Sequence, residues 1–171
     1  MANQNKPTGF RPIGHMSGGA IPAPLEFDIT PGQVIYEGDP VMVTATGSVT
    51  VVAAGTTTTH FGIAAEYVTD AASVAGGKKI KVYIDRGIIY AVQANAAYTA
   101  SNQFNTGDII TYAVGDATSK KSKMALDTLG TSTLPWLVIG LVDSPDNAWG
   151  LYQKVKVVYN LGVLGTAYAG I

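Results

Sequence analysis

Histidine is the side chain most suited to moving protons near neutral pH, and this chain holds two, His15 and His60. His15 falls in a segment dense in proline and glycine, and His60 opens a strand-like run after four threonines. A Ser-His-Asp site built on His60 would need a serine on a sharp strand-to-helix turn, and no serine here sits in that pattern. There is no cysteine, which removes a thiol nucleophile, a disulfide framework and a thiolate metal site together. The two histidines do not have metal-ligand spacing. Gly14, Gly18 and Gly19 match neither phosphate-binding glycine pattern, and no Gly-Lys-Ser/Thr occurs. Asp143-Ser144-Pro145-Asp146-Asn147 gathers the oxygens a hard cation favours. It lacks the spacing of a helix-loop-helix calcium site and no glutamate follows, so its Asp, Pro and Asn read as turn formers. Twelve scattered acids mark no carboxylate pair of the glycosidase kind. Trp149, Tyr152 and Tyr159 could stack on sugar rings, or fill a core or an interface. The chemistry reads as non-enzymatic, without metal or cofactor.

The elements that would carry these residues are strands. Short β-branched and aromatic runs alternate with turn residues from Leu25 onward. Glu26 to Thr30 ends at Pro31-Gly32, and Val34-Ile35-Tyr36 ends at Glu37-Gly38-Asp39-Pro40. Val41 to Thr44, Ser48 to Ala54 and His60 to Tyr67 follow. Lys79 to Asp85 alternates cleanly, with Ile80, Val82 and Ile84 on one face. Arg86-Gly87 then leads into Ile88 to Gln93, and the pair predicts a hairpin. Ala94 to Phe104 is the one stretch with helical character. Asp108 to Ala113, Trp136 to Val142 and Gln153 to Asn160 complete the strands. Many short strands at close spacing predict a single all-β sandwich or barrel over residues 25–160. Spacing leaves jelly-roll and other closed β topologies open.

Length and charge narrow the partners. A chain of 171 residues is one domain. Only 13% of residues are charged, with 11 basic and 12 acidic side chains and a net charge of -1. That balance argues against a nucleic-acid binder, which normally needs a basic face. Apolar residues reach 47%, yet no run approaches the roughly 20 residues of a membrane helix. Low charge with abundant Ala, Thr, Val and Gly points to packed interfaces or to a Thr-rich β domain. Met1 to Pro7 is polar and no apolar stretch follows, which does not read as a secretory signal and predicts synthesis in a cytoplasm.

Residues 1–24 stand apart. Pro7, Pro12, Pro22 and Pro24 each fix φ and remove a donor, while Gly9, Gly14, Gly18 and Gly19 loosen the chain. The segment carries Phe10, Ile13, Met16 and Ile21, with Lys6 and Arg11 and no acid. It predicts an extended N-terminal arm that lays its apolar groups on a neighbour, with the planar fork of Arg11 seated on an acidic or carbonyl-lined patch. The segment 161–171 is an apolar, glycine-rich tail.

Three segments carry a resemblance. Gly9-Phe10-Arg11-Pro12 with His15 and Gly18-Gly19, then Tyr36-Glu37-Gly38-Asp39-Pro40-Val41, then Ile139 through Gly150 followed by Lys154-Val155-Lys156-Val157, together resemble the structural cement, or head decoration, proteins of tailed bacteriophages. The resemblance spans nearly the whole chain; the apolar extension after Asn160 departs from it. It implies a virion protein without catalysis or cofactor, on the outer surface of the capsid and made in the bacterial host cytoplasm. Its partners would be the major capsid protein and further copies of itself, as a trimer or dimer, with no nucleic acid and no membrane. Phe10, Arg11, Ile13, Met16 and Ile21 would line the capsid or subunit interface. The alternative is a carbohydrate-binding or adhesin-like β domain on a virion or cell surface.

Overall fold

The computed structural model describes residues 3–53, 60–70, 78–111, 115–130 and 134–160. The expected tail 161–171 lies outside the described residues. Among the described residues thirteen strands follow in order: β1 (Arg11–His15), β2 (Leu25–Asp28), β3 (Val34–Ile35), β4 (Pro40–Val43), β5 (Val49–Val51), β6 (Gly62–Ala64), β7 (Val68–Thr69), β8 (Lys79–Tyr83), β9 (Ile88–Gln93), β10 (Thr106–Thr111), β11 (Met124–Gly130), β12 (Trp136–Leu141) and β13 (Lys154–Tyr159). The chain is all-β. The helical stretch expected over Ala94 to Phe104 is a single 3-10 turn, Ala100–Asn102.

The strands form a six-stranded sheet in the order β1-β9-β13-β12-β10-β11, a five-stranded sheet in the order β2-β8-β6-β4-β5, and the short pair β3-β7. All ladders are antiparallel. Each large sheet also returns on itself. Ile29, just past β2, bridges Val49 of β5, and Ala94, just past β9, bridges Leu126 of β11. Closure hides the backbone edges that an open sheet would present. It leaves β1 outside the larger ring, appended to β9.

The expected hairpin at Arg86-Gly87 is not one. β8 is flanked by β2 and β6, and β9 by β1 and β13, so the turn carries the chain from one sheet to the other. Alternation in β8 reads as expected, with Ile80 and Val82 buried and Lys79 and Lys81 exposed. Each sheet encloses its own core. Ile29, Ile35, Val41, Val49, Ala64, Ile80 and Val82 fill the five-stranded one. The other cluster includes Tyr90, Leu126, Trp136, Val155, Val157 and Tyr159, and Val52 and Ile63 from the first sheet join it, which ties the two layers together.

Residues 3–24 are not a free arm, and the boundary expected at residue 25 separates nothing. Phe10 is 1% exposed and stacks on Trp136 with ring centroids 4.3 Å apart. Its amide donates to the Gly38 carbonyl at 3.0 Å. Gly9 makes this approach possible: its φ is +69°, and a Cβ there would meet the Ser122 Cβ at 2.4 Å. The prolines are compatible with a strand here because β1 is an edge, where a missing donor is tolerated. Proline density reports on local freedom, and the apolar side chain of Phe10 is satisfied by the chain's own distant strands.

Candidate functional site

Once Phe10 is taken into the core, three of the other residues expected at an interface, Arg11, Ile13 and Met16, fall on an outer border. Arg11 to Met16 runs antiparallel along Ala91 to Gly87, and Leu25 to Ile29 along Val82 to Lys78. The N-terminal segment therefore borders both sheets in turn. A bulge between Pro12 and Gly14 sets Ile13 out of register. Ile13 is 44% exposed, Met16 66% and Leu25 52%. Arg11 is exposed and forms no ion pair among the described residues. Ile21 turns the other way and packs against the core around Trp136. The segment thus carries three exposed apolar side chains and an exposed Arg11 that forms no ion pair among the described residues, while Phe10 and Ile21 hold it to the body. Across β2 and β8, Glu26 faces Lys81 and Asp28 faces Lys79, pairs that fix register without adding net charge.

His15 closes the end of β1 in an arrangement that sequence reading missed. Its Nδ1 lies 2.7 Å from Ser17 Oγ, and its Nε2 lies 3.2 Å from Asp85 Oδ1. The Ser17 amide donates to the same Nδ1 at 3.2 Å, which assigns the ring proton to Nε2 and directs it at Asp85. The order Ser, His, Asp is that of a nucleophilic triad. The adjacent backbone donors are engaged, however. The Gly18 amide donates to the His15 carbonyl at 2.9 Å and the Gly19 amide to Ser17 Oγ at 3.3 Å, so no pair of amides there is free to hold an oxyanion. The cluster acts as a clasp between β1 and the β8–β9 turn. Asp85 accepts from the Gly87 amide at 2.7 Å, and that bond first, then His15, holds its carboxyl below the ordinary value. A Cβ on Gly87 would lie 2.3 Å from His15 Nε2, so the clasp requires glycine there.

The remaining sequence candidates have structural positions. His60 is 1% exposed and packs against Trp136 at 5.7 Å. Asp143 pairs with Lys156 at 2.7 Å, which lowers its pKa. Asn147 staples its turn: Nδ2 donates to the Val142 and Lys154 carbonyls at 2.7 and 2.8 Å, and Oδ1 accepts from the Lys154 amide at 2.7 Å. The segment is a built turn, and no group of three potential metal ligands occurs among the described residues. Of the three aromatics weighed for sugar stacking, Tyr159 is buried and Trp149 packs on the core, leaving Tyr152 partly exposed. No helix among the described residues is long and apolar enough to cross a membrane.

A buried carboxylate that sequence reading passed over lies beneath the root of β1. Asp39 Oδ2 accepts from the Tyr36 amide at 2.8 Å, and the Ser122 hydroxyl also bonds it. Burial outweighs both bonds and pushes its pKa up to about 6. Its place in the Glu37-Gly38-Asp39-Pro40 turn is the only sequence signal for it, and that signal reads as turn chemistry.

No protein-family model matches this sequence, and no curated protein matches it either.

Proposed function

We propose that this chain is a cement protein of a tailed-phage head. It binds the outer surface of the capsid, takes the major capsid protein as its partner, associates with further copies of itself as a trimer or dimer, and stabilises contacts between capsomers. The observation that carries this reading is the outer border of the N-terminal segment, where Ile13, Met16 and Leu25 stand exposed along the same stretch of chain as an exposed Arg11 on a closed β body. Covering a large aliphatic side chain contributes about 1.5–3 kcal/mol. Two or three such contacts per copy, repeated over a lattice, suffice for a protein whose task is collective. An edge already held in place loses less entropy on docking than a free arm would. The resemblance of Gly9 to Gly19 and of Ile139 to Val157 to head decoration proteins points the same way.

The test uses Ile13→Glu and Met16→Glu, which change exposed side chains and spare Phe10. Undecorated heads are incubated with each variant, and bound protein and heat resistance of the heads are measured. The expected result is loss of both with an unchanged unfolding curve of the free protein. Wild-type decoration by both variants would overturn the reading. Deleting residues 1–20 is not a usable test, because it removes Phe10 from the core.

A further inference from the structure

We propose that a polar cleft between the N-terminal residues and the turn before β13 binds an acidic saccharide, a sugar ring bearing a carboxylate. The cleft measures about 250 Å³, and Lys6, Lys154, Tyr152, Ser144, Asp146 and Asn3 are among its lining residues. Its walls are held before any ligand arrives. Asn3 Nδ2 donates to the Ala148 and Leu151 carbonyls, both at 2.9 Å, and its Oδ1 accepts from the Ala148 amide at 3.2 Å. The Lys6 amide donates to Gln93 Oε1 at 2.8 Å. The Lys154 backbone is gripped by Asn147 on both its amide and its carbonyl. Both lysine backbones are therefore fixed, yet neither ammonium forms an ion pair among the described residues. Two exposed, unpaired ammonium groups carried on fixed backbone suit an anion.

The rest of the lining decides which anion. Tyr152 is its one aromatic side chain among the described residues, and its backbone φ of +60° is the left-handed conformation that bulky residues avoid. Backbone strain of that sort gathers at ligand sites. A single ring face with hydroxyl, amide and carboxylate groups around it suits a hydroxyl-rich ring. It offers little to the apolar side chains of a peptide. The two amines then take the carboxylate of the sugar, and Ser144 and Asp146 take its hydroxyls.

The apolar end of the docking border lies away from this site, while Arg11, opposite Ala91, lies nearer and lines a small neighbouring cavity with Lys154. Lys154 faces Gln93 at one end of β9, while the Met16 amide meets the Gly87 carbonyl at the other. Six residues of strand separate them by about 17–20 Å. The inference does not rest on the capsid reading, and the two can fail separately.

The experiment titrates the full-length, isotope-labelled chain with sodium glucuronate, glucose or acetate, and follows its amide resonances. Glucuronate is expected to move the amides of Lys6, Tyr152 and Lys154, and to bind at least about tenfold more tightly than glucose, which lacks the charge-assisted bond, and than acetate, which lacks the ring and its hydroxyls. Lys6→Gln and Lys154→Gln should each weaken glucuronate about tenfold. Tyr152→Gly, which relieves the φ while removing the ring, should weaken it without loss of fold. Acetate binding as tightly as glucuronate would reduce the cleft to an anion trap and overturn the proposal. So would a glutamate-rich peptide binding there in preference, or no change at these amides.

Discussion

Asp39 makes the stability of this protein fall as pH rises through the acid range. A carboxyl with a pKa of 3.8 when unfolded and about 6 when folded leaves the native state holding more protons than the unfolded chain between those values. Stability therefore declines across that window, the reverse of a salt-bridged carboxylate. At 1.36 kcal/mol per pH unit, the interval from 3.8 to about 6 corresponds to about 3 kcal/mol. Asp39→Asn keeps the shape and an oxygen for the Tyr36 amide, with no charge to bury. The variant should match the wild type near pH 4 and exceed it by about 2–3 kcal/mol at pH 8. Urea unfolding at each pH, read by tryptophan fluorescence, measures both proteins. The quantity to plot is their difference, because Asp85, Asp116 and Asp143, whose pKa values are lowered, push the wild-type curve the opposite way and cancel in the subtraction. A difference that stays flat with pH, or an Asn variant less stable at pH 8, would refute the account of Asp39 as a charge buried at a cost.

Two further outcomes follow from packing and from the turn. Phe10→Ala should cost about 3–5 kcal/mol in urea unfolding, while Met16→Ala, only six residues along but exposed, should change stability by less than about 0.5 kcal/mol; equal effects would return the segment to a free arm. Asn147→Ala removes three hydrogen bonds of the turn before β13 and should cost about 2–3 kcal/mol, again read by urea unfolding; a neutral result would mean that water replaces them.

Much of the strand pattern was legible because β8 and β13 alternate as half-buried strands must, with lysines against valines and isoleucine. β11, Met124–Gly130, escaped notice: Met-Ala-Leu-Asp-Thr-Leu-Gly has neither β-branched density nor alternation, and its place is set by β10 and by the bridge to Ala94. The hairpin misreading at Arg86-Gly87 has the same origin, since a turn sequence specifies a change of direction and not which strand lies alongside. The interface candidates split for a physical reason. Ile13 and Met16 are apolar groups lacking a local partner, and they are exposed; Phe10 has the same local character, but its partner Trp136 is distant in sequence. His15, Ser17 and Asp85 could be found as residues but not as a cluster, because the clasp exists only after β1 lies on β9. The cleft likewise requires Asn3 to reach Ala148 and Leu151.

The shared border of the two sheets also dictates an order of assembly. Every strand of the five-stranded sheet lies between Leu25 and Tyr83, so that half has all its backbone partners once the ribosome has released it. The six-stranded ring has to wait for β13, and Phe10 has no stacking partner until Trp136 has emerged. During synthesis β1 gains its backbone partner once β9 has emerged, but Phe10 has to wait some forty residues longer for the ring it stacks on. A nascent chain paused before residue 136 would display Phe10 together with Ile13 and Met16 as one greasy stretch, the natural target for a chaperone.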